Sequence, residues 1–168
     1  MRPRLQAVPG PGTSQVVALG LALLLLACSP PATGDLGYDP ERDPAADLAA
    51  LVETAQARGA RILVVVGGDW CSWCHILDRF VKGNEEIHEL WERHFETLKV
   101  HWDPDTPNEA FLGQYPKVDA YPHIYVLDGD GSFLHSQNTE NLEEGGSYST
   151  DRMREFLTRW APRRTKAD

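Results

Sequence analysis

Two cysteines separated by two residues carry the chemistry that this sequence offers most clearly. Cys71 and Cys74 lie in the segment Trp-Cys-Ser-Trp-Cys-His at residues 70–75. If this segment opens a helix, residues three apart share one face, and the two sulfurs can form a disulfide. Cys71 would then lie at the helix N-terminus, where unpaired N–H groups and the helix dipole favour a thiolate. The pattern predicts thiol-disulfide chemistry, with Cys71 as the nucleophile and the more enclosed Cys74 as the resolving thiol.

The same six residues admit other chemistries. Cys-x-x-Cys-His is also the signature for covalent attachment of c-type haem, with His75 as one axial ligand. The second axial ligand would have to be Met153, the one methionine besides Met1, or another histidine. A purely structural disulfide would close only a very small loop. A zinc site lacks an evident second pair of ligands, so no metal is expected and c-type haem is the main rival.

Apolar periodicity around the motif predicts the elements that position it. Residues 61–66 are nearly all apolar and β-branched, which is typical of a strand buried on both faces directly before the motif. Pro44 favours the start of an earlier helix, and Gly59 is placed to end it. The apolar spacing over residues 71–81 predicts a helix, and Asn84 can cap the next one.

The rest of the chain continues the alternation of strands and helices. The predicted elements are a strand at 95–102, a short helix at 107–115, a hairpin of 123–127 and 132–135 around an Asp-Gly turn, a polar loop at 137–148, and a last helix capped by Ser149 or Thr150. Together these elements predict an α/β fold, with a central mixed β-sheet flanked by helices on both faces.

Residues 45–161 resemble the thioredoxin superfamily. The resemblance lies in a strand followed by a Trp-Cys-x-x-Cys motif and a helix, and in Val-Asp-Ala-Tyr-Pro at 118–122 before an apolar strand. In that family the proline matching Pro122 has a cis peptide bond and lies against the cysteines, and the residue before it pairs by its backbone with substrate. The resemblance implies that Tyr121 and Pro122 form a substrate platform, with Trp70 beside the nucleophile. It also implies that the partners are protein thiols and disulfides, and that the protein needs no cofactor besides the cysteine pair. The resemblance favours thiol-disulfide exchange over attachment of c-type haem.

The chain departs from thioredoxins at the position of their buried acid. That acid lies six residues before the first cysteine, where this chain has Val65. Proton transfer to and from Cys74 must then use water or another group, for which Asp69 is one candidate. His75 and His123 adjoin the proposed site and could tune it. The pair between the cysteines, Ser72-Trp73, also differs from that of thioredoxins, so the sequence does not decide whether the protein is a reductase, an oxidase or an isomerase.

The N-terminal residues predict export and lipid attachment. Arg2 and Arg4 precede an apolar run at 16–27, which is short for a bilayer-spanning helix but suits an export signal. The run ends Leu-Leu-Ala-Cys, which resembles the lipobox of bacterial lipoproteins, where the cysteine carries diacylglycerol and becomes the first residue after cleavage. Lipid on Cys28 would hold the protein at the cell envelope, on the periplasmic side of a membrane or at the outer surface. An ordinary secretory signal is the alternative.

These features divide the chain into four parts. They are a signal peptide at 1–27, a flexible tether rich in proline and glycine at 28–44, a thioredoxin-like domain at 45–161 and a tail at 162–168. If Cys28 carries lipid, the two motif cysteines can pair only with each other.

The acidic composition argues against one class of partner. The formal charge of −9, without a dense run of lysine and arginine, argues against nucleic acid. We expect a monomer that exchanges electrons with a membrane donor or acceptor. The alternative from a different class is a thioredoxin-fold binding or scaffold module whose cysteines do not turn over.

Overall fold

Five helices and six strands are present in the residues that this computed structural model describes, 37–106 and 108–163. The helices are α1 Pro44–Arg58, α2 Ser72–Gly83, α3 Glu85–His94, α4 Glu109–Leu112 and α5 Thr150–Trp160. The strands are β1 Arg61–Gly67, β2 Phe95–His101, β3 His123–Leu127, β4 Phe133–Asn138, β5 Glu143–Glu144 and β6 Ser147–Tyr148. A 3-10 helix, Thr139–Leu142, follows β4. The predicted signal peptide and Cys28 lie outside the described residues, within which no helix is long and apolar enough to cross a membrane.

Four strands form one mixed sheet in the order β2-β1-β3-β4. Strand β1 runs parallel to β2 and antiparallel to β3, and β3 pairs with β4 as an antiparallel hairpin. All the residues of β1 after Arg61 are buried, because the strand is covered on both faces. The predicted mixed sheet and the predicted hairpin are confirmed.

Helices cover both faces of this sheet. Leu63 and Val65 of β1 pack into the core layer that contains the buried residues of α2, α3 and α5. Ile62 and Val64 alternate to the opposite layer, which contains residues of α1 and α4. The sheet is therefore the middle of three layers, as the sequence predicts.

The helix ends follow the capping signals in the sequence. Asp43 caps α1 by accepting hydrogen bonds from the N–H groups of Ala45 and Ala46. Gly59 ends the same helix with a φ of 64°, a left-handed conformation that glycine adopts without steric cost. Asn84 caps α3 by accepting a hydrogen bond from the Ile87 N–H. The predicted roles of Gly59 and Asn84 are confirmed.

The prediction of a polar loop at 137–148 is wrong, because most of this segment forms regular secondary structure. β4 extends to Asn138, and a 3-10 helix and the two short strands β5 and β6 follow. The segment folds because Leu142 and Tyr148 bury their apolar side chains in the core despite the polar residues around them. We call residues 139–148 the brace.

Tyr38 lies within the predicted tether but is packed into the domain. Its side chain is only 5% exposed, and it belongs to the core layer that contains both motif cysteines. An aromatic ring buries enough apolar area to hold a short stretch of chain against the core, even among prolines and glycines. The packed part of the chain therefore begins before α1.

Candidate active site

The two motif cysteines lie at the start of α2 and form a disulfide. Cys71 is the N-cap residue of α2, and its Cα is 5.3 Å from that of Cys74. The Cys71 Sγ also accepts a hydrogen bond of 3.1 Å from the Cys74 N–H. An anionic sulfur at this position is stabilised by that N–H group and by the positive end of the helix dipole. The helix start that the spacing predicts is confirmed.

Both motif cysteines are buried, and Cys74 in addition packs against Gly67. Cys71 is 4% exposed, whereas Cys74 has no exposed surface. Cys74 packs against the last residue of β1, where a Cβ on Gly67 would lie 2.4 Å from the Cys74 Sγ. Only a glycine therefore leaves room for the sulfur at this point of the strand.

The cis-proline segment lies beside the motif. The Tyr121–Pro122 peptide bond is cis, as the family resemblance implies. Trp70, which precedes Cys71 and is 53% exposed, contacts the Tyr121 ring edge to face at 5.5 Å between ring centroids. Trp70 and Tyr121 therefore form an accessible aromatic surface next to the disulfide.

Trp102 completes this aromatic surface, although the sequence alone does not single it out. Its ring stacks on Tyr121 at 4.7 Å, and its carbonyl accepts a hydrogen bond of 2.9 Å from Trp70 Nε1. Its own N–H donates to the Gly67 carbonyl at 2.7 Å. The available signal was its position directly after β2, because parallel strands β1 and β2 end at the same edge of the sheet.

The brace contacts both halves of the site. Thr139 donates a hydrogen bond of 2.5 Å from its hydroxyl to the Pro122 carbonyl. At the other end of the brace, the Tyr148 ring packs against Trp73 at 5.6 Å and against Phe80 at 5.8 Å. The brace thus connects the cis-proline segment with helix α2.

An ion pair lies near the position of the family's missing acid. Val65 occupies that position and is 2% exposed. Its neighbour in the register on β2 is Lys99, whose Nζ is 2.6 Å from the Asp78 carboxylate on α2. Asp69, the candidate named from the sequence, is exposed, and its carbonyl accepts a hydrogen bond from His75 Nε2 at 2.8 Å.

His123 lies on the far side of the sheet from the cysteines. Along β3, Ile124 packs into the layer that contains Cys74, so the side chain before it points to the opposite layer. His123 is 4% exposed, with Nε2 2.8 Å from the Ser136 hydroxyl. Burial lowers the pKa of His123 to about 4, although Asp119 acts in the opposite direction. The structure does not bring His123 to the disulfide.

His123 is expected to make stability depend on pH. The folded protein keeps its imidazole neutral down to about pH 4, whereas the unfolded chain binds a proton near pH 6.5. The unfolding free energy should therefore fall by up to about 3 kcal/mol as the pH drops through this window. Urea unfolding at several pH values measures this, with His123→Gln flattening the dependence and exposed His88→Gln leaving it unchanged. An equal pH dependence in wild type and His123→Gln would contradict the prediction.

The residues of the motif do not fit a c-type haem. Thioether attachment needs space around both sulfurs, but the fully buried Cys74 packs against Gly67. His75 Nε2, the atom that would bind iron, donates instead to the Asp69 carbonyl. Among residues 37–106 and 108–163, no group of three or more histidine, cysteine or acidic side chains could hold a metal ion.

Comparison with known proteins identifies the family. Residues 43–129 match the model of a family described as Thioredoxin-like. The chain is also 30% identical over 124 residues to a protein named Thiol:disulfide interchange protein DsbD from Pseudomonas sp. (strain JR1 / K1). The match covers 73% of this chain and 20% of that protein, so the chain spans about a fifth of its relative's length.

Two solved structures share the fold at low sequence identity. A disulphide isomerase from Xylella fastidiosa Temecula1 is 22% identical with a TM-score of 0.62, over 73% of this chain and 94% of that one. The C-terminal domain of DsbD from Neisseria meningitidis, in its oxidised form, is 19% identical with a TM-score of 0.54, over 74% and 98%. The chain therefore belongs to the thioredoxin-like family, and its two motif cysteines form a disulfide.

Proposed function

We propose that this protein is an exported, membrane-anchored enzyme that exchanges disulfides with protein substrates through Cys71 and Cys74. The observation that carries the proposal is the disulfide between these residues at the N-terminus of α2. The relative named as a thiol:disulfide interchange protein supports it. The position of Cys71 as the N-cap of α2, with Cys74 inside the first turn, supports distinct roles for them.

The exchange takes place in two steps. In the reduction of a substrate, the Cys71 thiolate attacks one substrate sulfur, forms a mixed disulfide and releases the other substrate sulfur as a thiolate. Cys74 then loses its proton and attacks the Cys71 Sγ. This second step forms the Cys71–Cys74 disulfide, breaks the mixed disulfide, and leaves the substrate with both electrons. Oxidation of a substrate runs the same steps in reverse.

The surface beside Cys71 suits an extended protein substrate. Trp70 offers an exposed ring, and Tyr121 and Pro122 lie before β3, outside the paired part of the sheet. A substrate segment lying here would place its cysteine near Cys71 and pair by its backbone with Tyr121. We therefore assign Trp70, Tyr121 and Pro122 to substrate binding.

Export and anchoring rest on the N-terminal sequence. The lipobox-like residues before Cys28 favour lipid attachment to that cysteine, and the export signal before it favours a periplasmic location. A lipid-anchored oxidoreductase would face the exported side of a membrane, where disulfides persist. There it would exchange electrons with a membrane donor or acceptor.

Replacement of the proposed lipidated cysteine tests the anchoring. Cells that make the full chain should place the wild-type protein in the membrane fraction, with a mass increase for diacylglycerol on Cys28. Cys28→Ser should lack this mass and leave the membrane fraction after cleavage of the signal, or accumulate uncleaved. Cys71→Ser is the matched control and should be lipidated like the wild type. Wild-type protein without lipid, or a Cys28→Ser protein that is cleaved and equally membrane-bound, would refute the anchor.

A further inference from the structure

The Tyr38 hydroxyl and the buried Cys74 sulfur both lie next to Gly67, the last residue of β1. A Cβ placed on Gly67 would lie 3.2 Å from the Tyr38 hydroxyl oxygen and 2.4 Å from the Cys74 Sγ. The Tyr38 hydroxyl oxygen and the Cys74 Sγ therefore lie on either side of, or next to, the same small space at Gly67. Cys74 has no exposed surface, and Tyr38 is 5% exposed, so both groups lie inside the protein.

One charged side chain, Lys99, lies against the Tyr38 ring. The Lys99 Nζ lies 5.2 Å from the centroid of the ring, within the range of a cation–π contact. The Lys99 side chain is 8% exposed and is fixed in turn by the Asp78 carboxylate, 2.6 Å from its Nζ. Val65 is apolar, so β1 provides no acid at the position opposite Lys99. The Tyr38 ring and the Lys99–Asp78 ion pair lie in this part of the core layer instead.

The second step of the exchange requires a thiolate on the buried Cys74. Cys74 must lose its proton before it attacks Cys71, although a thiolate without exposed surface is costly unless it is hydrogen-bonded. A hydroxyl that donates to the sulfur favours the thiolate, since hydrogen bonds to charged groups are stronger than those between neutral groups. The Lys99 ammonium against the Tyr38 ring would also favour the thiolate, and the Asp78 carboxylate paired with it would oppose this effect.

We propose that Tyr38 is a positioning residue for the resolving step, in which its hydroxyl donates a hydrogen bond to the Cys74 Sγ once the disulfide is open. The inference rests on the proposed function and deepens it. The Cys74 proton passes to water. The Cys74 sulfur then bonds to that of Cys71, and the substrate sulfur leaves with the electron pair of the broken bond and takes up a proton. Tyr38 keeps its own proton throughout.

Tyr38→Phe tests this proposal because it keeps the ring and removes only the hydroxyl. The pKa of Cys74 is measured from the ultraviolet absorbance of the thiolate in a background with Cys28→Ser and Cys71→Ser, where Cys74 is the remaining cysteine, without any substrate. Tyr38→Phe should raise this pKa by about one unit, a tenfold loss of thiolate equal to about 1.4 kcal/mol. With both cysteines present, it should lengthen the lifetime of a mixed disulfide with a model peptide about tenfold, while the mixed disulfide still forms at the wild-type rate.

Tyr125→Phe is the matched control. Tyr125 is fully buried in the opposite core layer, and its hydroxyl donates to the Pro116 carbonyl. Its removal should lower the unfolding free energy and leave the pKa of Cys74 unchanged. An unchanged Cys74 pKa in Tyr38→Phe, or an equal shift in Tyr125→Phe, would overturn the proposal. Failure of the wild type to form any mixed disulfide would instead refute the proposed function, because the pKa measurement needs no exchange.

Discussion

Cys71→Ser is expected to lower the catalysed reduction of insulin disulfides by at least about 100-fold, to the rate without enzyme. A serine hydroxyl at the start of α2 stays protonated at neutral pH, so no nucleophile remains to form the mixed disulfide. Cys74 cannot replace it, because this sulfur has no exposed surface. The measurement is the turbidity of reduced insulin over time with dithiothreitol as the electron source.

Cys74→Ser should give a different result, which separates the two roles. Cys71 can still attack, but no second thiol resolves the product, so mixed disulfides with substrate proteins should accumulate. They appear as adducts on non-reducing gels and disappear on addition of a thiol. If the double serine variant kept full activity, the enzyme assignment would be wrong. Normal complementation by that variant in cells would favour a binding or scaffold module.

Gly67→Ala is expected to lower the unfolding free energy of the oxidised protein by about 3 kcal/mol, at the upper end of the usual cost of overpacking. The new methyl group would lie 2.4 Å from the Cys74 Sγ, which the disulfide prevents from moving aside. It would also lie 3.2 Å from the Tyr38 ring and hydroxyl. Urea unfolding of the oxidised protein measures the loss.

Two variants show whether this loss comes from the sulfur. Gly83→Ala is the matched control, because a Cβ at Gly83 meets no atom within 4 Å. It should leave the stability unchanged or raise it slightly, since alanine favours a helix. In a Cys74→Ala background the same change at Gly67 should cost less, because the sulfur is gone. An equal cost in both backgrounds would show that the sulfur is not the cause.

Local patterns in the sequence were sufficient to predict the Cys71–Cys74 disulfide and the main helices and strands. The spacing of Cys71 and Cys74 after a buried strand predicted a disulfide at a helix start, because this geometry involves neighbours in the chain alone. Capping residues such as Asn84 acted through their own turn of helix. The cis bond before Pro122 required the family resemblance, because the Tyr-Pro dipeptide by itself favours trans.

Contacts between distant parts of the chain account for what the sequence did not show. Tyr38 lies far from Cys74 in sequence and shares its core layer only through the packing of the segment before α1. Trp102 joins Trp70 and Tyr121 because three separate loops meet at one edge of the sheet. The brace looked like a solvated loop, because its polar residues outnumber the few apolar side chains that anchor it.

The brace has a practical consequence for attempts to build a smaller version of this domain. A designer who shortened residues 139–148 to a tight turn, treating them as a dispensable surface connection, would remove the partner of the Pro122 carbonyl. The same deletion would strip Tyr148 from Trp73 and Phe80 on α2. A minimal scaffold must therefore keep this connection at its natural length.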